Sequence, residues 1–416
     1  MSARPTAVHG VTGASLDALI ERLGAGSIAE KARRDALARF EELPLRQAIR
    51  GGRNWKRDLA KLDLSAVATF DPAAAELDVE ALSPVARRAG VTIERFSLAL
   101  ERHRAAFERA FGRAVDTRDD KFASLALAFQ NHGAFIDVPA GVVVDEPLVV
   151  GYEARDSALF PYTLIALGAG ARATVIERLA AGDGAPFVCG ISELVLDERA
   201  ELVYAVDQRA ADATTLVMTR RAVLAEGARL DVASAELGGA HSVSRLRATG
   251  LAPGAHINVT ALFFSDRDQH VDIETESIHA AGNTASNTVV RSAGNGHGQG
   301  RYFGNIKILA DAHGAEASLR DDALLLSAGA HIDSVPALEI AANDVKAFHG
   351  ATVGAISEDE LFYAESRGIA RADAERMIAL GFFEPAVSRF PLEALREEIR
   401  SAIERKIVSG TGGVTA

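Results

Sequence analysis

The sequence predicts a mainly β protein, a β-helix or related solenoid flanked by α-helical regions. Three observations carry that reading. A motif with a period near 28 residues recurs through the middle of the chain. The segments between its copies are short and strand-like, and helical periodicity is confined to the two ends. The motif is legible in "LGAGARATVIERL", "LDERAELVYAVDQ", "LAEGARLDVASAEL", "LAPGAHINVTALFF" and "LSAGAHIDSVPALEI". Its alanines are Ala171, Ala200, Ala228, Ala255 and Ala330, with Ala315 in a looser copy; the first three intervals are 29, 28 and 27 residues (171 to 200, 200 to 228, 228 to 255).

A unit of this size cannot bury its own apolar face, so neighbouring units must stack. The LxxLxL signature of leucine-rich repeats is missing, and the segments are strand-like where ankyrin or tetratricopeptide units need two helices. Strands wound into coils remain, with side chains alternating between opposite faces along segments such as that of Leu230, Val232 and Ser234, which share one face. The small Ala after each turn suits a corner where successive coils lie close. About eight coils at ~4.8 Å each give a rod on the order of 40 Å long. Such a rod exposes sheet edges at its ends, which a cap or a partner must cover.

The expected division is an N-terminal helical region over residues 1–130, a β-helix core over 131–348 and a C-terminal helical domain over 349–416. In the first region "ASLDALIERL" places Leu16, Leu19, Ile20 and Leu23 at helix-face spacing, and "EKARRDALARFEELPL" continues until Pro44 ends it. "SPVARRAG" and "IERFSLALERHRAAFERAFGRA" are further helix candidates, and Trp55, the sole tryptophan, reads as a core anchor. After Gly350, Ser357 and Glu360 form a capping box and Gly368 a helix stop. Ala374, Met377, Ile378 and Gly381 share a stripe in the next helix. Pro391 then suits a helix start, with Leu392, Leu395, Ile399, Ile403 and Ile407 along one face of the last helix.

A net charge of −12 argues against nucleic acid or an anionic membrane as partner. No apolar run reaches membrane-spanning length and "MSARPTAVHG" lacks a signal-peptide core, so a soluble, cytoplasmic protein is expected. The single cysteine, Cys189, excludes an internal disulfide and an all-cysteine metal cage within one chain, and its apolar surroundings read as burial. "GNGHGQG" (Gly294 to Gly300) has neither the Lys-Ser/Thr nor the following helix of a phosphate loop, and HExxH and GxSxG are absent. Asp321 and Asp322 read as a solvated turn. Eight of 11 histidines follow residue 240 without metal-ligand spacing, although residues one coil apart can still be neighbours in space. His349 stands apart because it is read as following the last strand and preceding a capped helix, at the open end of the rod.

Three segments resemble the SufB/SufD family. "KFASLALAFQNHGAFIDVPAGVVVDEPLVV" (Lys121 to Val150) is similar to the family's entry segment, and "NWK" (Asn54 to Lys56) to its N-terminal motif. "SVPALEIAANDVKAFHGATVGAISEDELFYAESRGI" (Ser334 to Ile369) is similar to its C-terminal signature. The resemblance implies a right-handed parallel β-helix between helical regions, acting as a non-catalytic scaffold subunit of the SufBCD complex for iron–sulfur cluster assembly. It further implies pairing with SufB through the β-helix end and docking of the ATPase SufC through the C-terminal helices.

Cysteine poverty points to the SufD-like branch, since SufB-like members carry several thiolates and many relatives have Cys where Ala347 stands. On this resemblance His349 is the residue facing SufB, a metal ligand at a transient iron–sulfur cluster held between the subunits. A neutral imidazole nitrogen can coordinate such a metal. Leu361, Phe362, Met377, Ile378, Phe382 and Phe383 supply the expected SufC-docking surface, some packing internally and the rest facing the partner. Two alternatives stand beside this reading. One is a homo-oligomeric SufBD-type scaffold, the chain forming a homodimer in isolation; the other is a β-helix carbohydrate-active enzyme, for which an aromatic share of 6% is poor.

Overall fold

A computed structural model describes residues 10–23, 28, 30–43, 75–79, 82–116, 118, 120–155, 157–182, 184 and 187–409. Trp55 and the Asn54–Lys56 motif lie outside the described residues. Helices α1 (Gly13–Leu23) and α2 (Glu30–Glu42) come first, followed by β1 (Ala75–Val79), α3 (Pro84–Arg88) and β2 (Thr92–Arg95). Helices α4 (Phe96–Arg102), α5 (Arg104–Ala110) and α6 (Lys121–Phe129) lead into the strand region. There β3 (His132–Val138), β4 (Leu148–Ala154), β5 (Pro161–Leu167), β6 (Arg172–Ala181), β7 (Phe187–Leu196) and β8 (Glu201–Ala210) alternate between two sheets. The alternation continues through β9 (Thr215–Leu224), β10 (Arg229–Glu236), β11 (His241–Gly250), β12 (His256–Ser265) and β13 (His270–His279). It ends with β14 (Ala285–Gly294), β15 (Gln299–Ile308), β16 (Ala315–Leu325), β17 (His331–Ile340) and β18 (Val345–Ala355). Helices α7 (Glu358–Ser366), α8 (Arg371–Val387) and α9 (Glu393–Ser409) follow.

The molecule is a parallel β-solenoid of about eight turns, each turn contributing one strand to each sheet. Sheet A runs β1-β4-β6-β8-β10-β12-β14-β16-β18 and sheet B runs β17-β15-β13-β11-β9-β7-β5-β3-β2. The repeat is the coil. Arg172, Glu201, Arg229 and His256, each one residue after a motif alanine, stand in register across β6, β8, β10 and β12. Ala171, Ala200, Ala228, Ala255 and Ala315 are fully buried at the corners leading into sheet A. Just before them sit residues of positive φ: Gly170, Arg199, Gly227, Gly254 and Gly314. Their amides donate to the next coil's turn, Gly170 N to Glu198 O at 2.8 Å and Arg199 N to Glu226 O at 2.8 Å, so the corners form a hydrogen-bonded column. Ala330 is out of phase with the others. Its turn (Ala330 N to Ser327 O, 3.3 Å) leads into β17 of sheet B, because the same turn chemistry serves both kinds of corner.

Inside the coils, one file of in-register residues runs Leu148, Val175, Tyr204, Val232, Val259, Thr288, Leu319 and His349. The first seven are buried. Polar groups also enter the interior: Arg220 pairs with Glu236 at 2.8 Å, and Glu177 accepts from Ser192 at 3.0 Å. His279 is 1% exposed and hydrogen-bonds Thr284 Oγ1 and Ser286 Oγ, both at 2.8 Å.

Helices cover the outer face of both sheets. Phe96, Phe107, Phe122 and Phe129 from the N-terminal helices pack on Phe187, Ile191 and Val217 of sheet B. Glu193 fastens that layer by accepting from the amides of Gly112 (2.9 Å) and Ala114 (2.7 Å) and from Tyr162 Oη (2.6 Å). On sheet A, Phe383 stacks on Phe264 with ring centroids 5.9 Å apart, and Leu395, Ile399, Ile403 and Ile407 are buried as their spacing predicts. Lys406 Nζ reaches Asp266 and Gln269 Oε1, while Asn295 Nδ2 donates to the carbonyls of Lys406 and Ile407. The C-terminal helices therefore lie along the flank of the rod.

Several local expectations change. The helix expected over "IERFSLALERHRAAFERAFGRA" is a strand and two helices broken at His103, whose φ is −127°. In α8 the buried stripe is Ala374, Ala379, Phe383, Ala386 and Val387, with Met377 on the solvent side. Ser357 holds the N-cap position of α7 without a side-chain cap bond. Gly368, at φ +85°, closes α7 as expected, with Ile369 N to Ala364 O (3.2 Å) and Gly368 N to Glu365 O (2.9 Å).

Two predictions follow from this packing. Ala228→Leu overfills a closed corner and is expected to cost about 1–3 kcal/mol, seen as a lower denaturation midpoint; an unchanged midpoint would show that the corner has room. His279 is held neutral by burial, its pKa lowered from 6.5 to about 4. Below the unfolded value the unfolded chain binds the proton more readily. The stabilisation is therefore complete above about pH 6.5 and declines as pH falls towards about 4, where the folded form also protonates, a loss on the order of 3 kcal/mol. The pH dependence of stability for His279→Gln should be flatter over that window than for the parent.

Candidate functional site at the open end of the solenoid

The two ends of the rod are finished differently. At the N-terminal end β1 pairs antiparallel with β4 and β2 antiparallel with β3, so each sheet ends in a short reversed strand. At the other end β17 and β18 are the outermost strands of their sheets. Strand β18 is exposed along most of its length, including Phe348 at 67%.

His349 lies in the middle of β18 and is exposed. The expectation that it follows the last strand is corrected: parallel pairing with β16 runs without interruption from Ala315↔Val345 to Leu325↔Ala355. His349 occupies the position that Leu319 and its predecessors use for core packing, so its side chain faces the mouth of the solenoid. Ile332, Ser334, Pro336 and Leu338 of β17, in register with Gly300, Tyr302, Gly304 and Ile306, line the opposite side.

Asp321 and Asp322 are strand residues of β16, which corrects their reading as a solvated turn. As neighbours on a strand they face opposite ways. Asp322 points outward to Arg320 (2.8 Å), Arg291 (3.2 Å) and Thr352 Oγ1 (2.6 Å). Asp321 is wholly buried on the inner face, its Oδ2 accepting from Ser334 Oγ of β17. Burial pushes its pKa up to about 7. Its other oxygen, Oδ1, is buried without a hydrogen-bond partner. Pattern reading missed Asp321 because its position under the mouth depends on pairing register.

Cys189 is remote from this end. It sits in β7 facing the N-terminal helices, its Sγ 3.4 Å from Phe122 O, and burial drives its pKa well above the usual thiol value. Five strand steps separate β7 from β17, roughly 24 Å. Among the described residues no group of three or more His, Cys, Asp or Glu side chains is placed to hold a metal ion. The mouth therefore offers one chain's imidazole and a buried carboxylate, a donor set to which a neighbouring molecule could add. His241 and His270, 29 residues apart in sequence, do come together one coil apart on sheet B, with ring centroids 5.2 Å apart.

The SUF system FeS cluster assembly SufBD core domain matches residues 150–382, more than half of the chain. The chain belongs to the SufBD family. The matched region runs from β4 through most of α8, so the solenoid itself carries the kinship. Similar curated proteins include SufBD family iron–sulfur cluster assembly proteins of Staphylococcus aureus (strain MRSA252), Staphylococcus epidermidis (strain ATCC 12228) and Staphylococcus haemolyticus (strain JCSC1435). Each is 28% identical over 308 residues, covering 73% of this chain and 66% of the relative. Among the described residues no helix of this SufBD protein is long and apolar enough to cross a membrane.

The C-terminal residues singled out in the sequence separate by burial. Leu361 and Phe383 are core residues, Ile378 and Phe382 are half-buried with Arg291 over the Phe382 ring at 4.9 Å, and Phe362 (73%) and Met377 (57%) are exposed.

Proposed function

We propose that this SufBD protein is a SufD-like, non-catalytic scaffold subunit that pairs with SufB through the open end of its solenoid and docks SufC through its C-terminal helices. The observation that carries the reading is the position of His349. It fills a core register in the one coil that has no further coil above it, so a histidine replaces packing with a donor directed at whatever covers the end. Unpaired edges on β17 and β18 supply the backbone groups such a cover would bond. The chemistry fits an imidazole ligand: iron accepts imidazole together with thiolate, and the thiolates would come from SufB, since Cys189 is buried elsewhere. The iron–sulfur cluster is cargo held between the subunits. The functional division keeps a helical region over 1–130, the β-helix core over 131–348 and the C-terminal region over 349–416, with β18 contributing from both sides of the last boundary.

His349→Ala is expected to leave the SufB complex intact while reducing cluster assembly at least tenfold, measured by cluster absorbance after anaerobic reconstitution of the co-purified complex. Unchanged assembly with an intact complex would remove the ligand role, and formation of only a homodimer in cells containing SufB would favour the homo-oligomeric scaffold. For SufC, the exposed pair Phe362 and Met377 supplies the contact, while Leu361 and Phe383 hold the helices to the solenoid. Changing both exposed residues to Asp should lower SufC capture at least tenfold in a pull-down without altering the melting temperature; full capture would place the contact elsewhere.

A further inference from the structure

We propose that Asp321 is a second metal donor at the mouth, acting with His349 on a first-row divalent cation of the ferrous type. The inference rests on the reading of His349 given above and adds a residue of this chain to it. Asp321 is a carboxylate in a file of interior positions whose occupant one coil below is Val290, and only the methyl of Ala351 stands above it in register. A buried carboxylate is costly unless its oxygens are satisfied, as those of Glu177 in the same file are by Ser192 Oγ. One oxygen is held by Ser334 and the other, Oδ1, has no partner. On the inner face, Asp321 is displaced from His349 by one strand and two residues. With ~4.8 Å between strands and ~3.3 Å per residue, their Cα atoms lie about 8 Å apart. Side chains reaching towards each other from that separation can share one cation.

The surroundings favour a cation over an anion. The nearest guanidinium groups, Arg320 and Arg291, lie on the outward side with Asp322. On the inner face of the last coil, Ser334 and Asp321 offer oxygen atoms, and His349 offers nitrogen. Oxygen and imidazole donors suit ferrous iron and its spectroscopic substitute cobalt(II). Two protein donors leave most coordination positions to water or to a partner, as a site that hands on its metal requires.

The test is titration of the full chain alone with Co²⁺ under anaerobic conditions, following visible absorption, for the parent, Asp321→Asn and His349→Ala. The expected result is one Co²⁺ per chain in the parent, with each variant binding at least tenfold more weakly. Asp321→Asn keeps the side chain's shape and removes a buried charge, so its melting temperature should not fall; should it fall, Asp321→Ser supplies the second measurement. Parent-like binding by the Asp321 variants with weakened binding by His349→Ala would overturn the role of Asp321 and leave that of His349 standing. Absence of Co²⁺ binding by the parent, or binding that neither substitution weakens, would overturn the shared site.

Discussion

Backbone hydrogen bonding between successive coils is the interaction on which the rest of this structure depends. Each strand gives its amides and carbonyls to the coil above and the coil below, and the corner turns do the same through their left-handed residues. Once that stacking is established, side chains can only face the interior or one of two flanks, and the register passes each choice to the next coil. Stacking also creates a problem that it cannot solve. A pile of coils has two ends, and each end leaves two strand edges unpaired. At the N-terminal end the outermost strands, β1 and β2, are short and run against their neighbours, which ends the parallel stacking there.

The same constraint explains why a small change of residue type at the last coil can create a site. His349 needs no special loop or strained backbone, because it continues the file that ends with Leu319. Only the missing next coil changes its surroundings from core to surface. Asp321 and Asp322 show the corresponding effect within one strand. Adjacent in sequence, one satisfies three neighbours on the outer face, while the other enters the interior with a single hydroxyl partner.

The period of the fold was legible because the corner requires a positive-φ residue followed by a small one, and that requirement leaves Gly-Ala or Arg-Ala in the text. Phase was harder, since corners into either sheet share the requirement, and Ala330 belongs to the second kind. The end of the last strand, at Ala355, is hard to read from sequence for a physical reason. An edge strand is not enclosed, so "HGATVGA" lacks the apolar alternation by which interior strands are recognised. The two short closing strands were hidden in a helix-rich region for a similar reason, being only five and four residues long. Helical spacing identified the buried face of α9 correctly, yet amphipathicity states which face is covered and not what covers it. Thus the flank packing against Phe264 and Leu262 required the structure. Cys189 could be read as buried from its neighbours alone, whereas Asp321 could not be read without the pairing of β16 to β14 and β18 and the facing of β17 across the interior.

The composition of the open edge bears on the proposed pairing. Proteins commonly blunt exposed strand edges with lysine, proline or inward-pointing charge. Strand β17 carries Pro336, Asp333 and Glu339, and its charges are engaged by His331 and Lys307. Strand β18 carries one ordinary charge, Lys346, at its beginning and paired to Glu316, followed by nine residues without Lys, Arg, Asp, Glu or Pro. Its outward Gly350 and Gly354 add no side-chain bulk. An edge this weakly defended invites strand addition, and a free molecule would risk association through it. The lack of defence is therefore better matched to a strand that is normally covered. A partner laid along β18 would bring its own side chains over His349, placing ligation and pairing under the same contact.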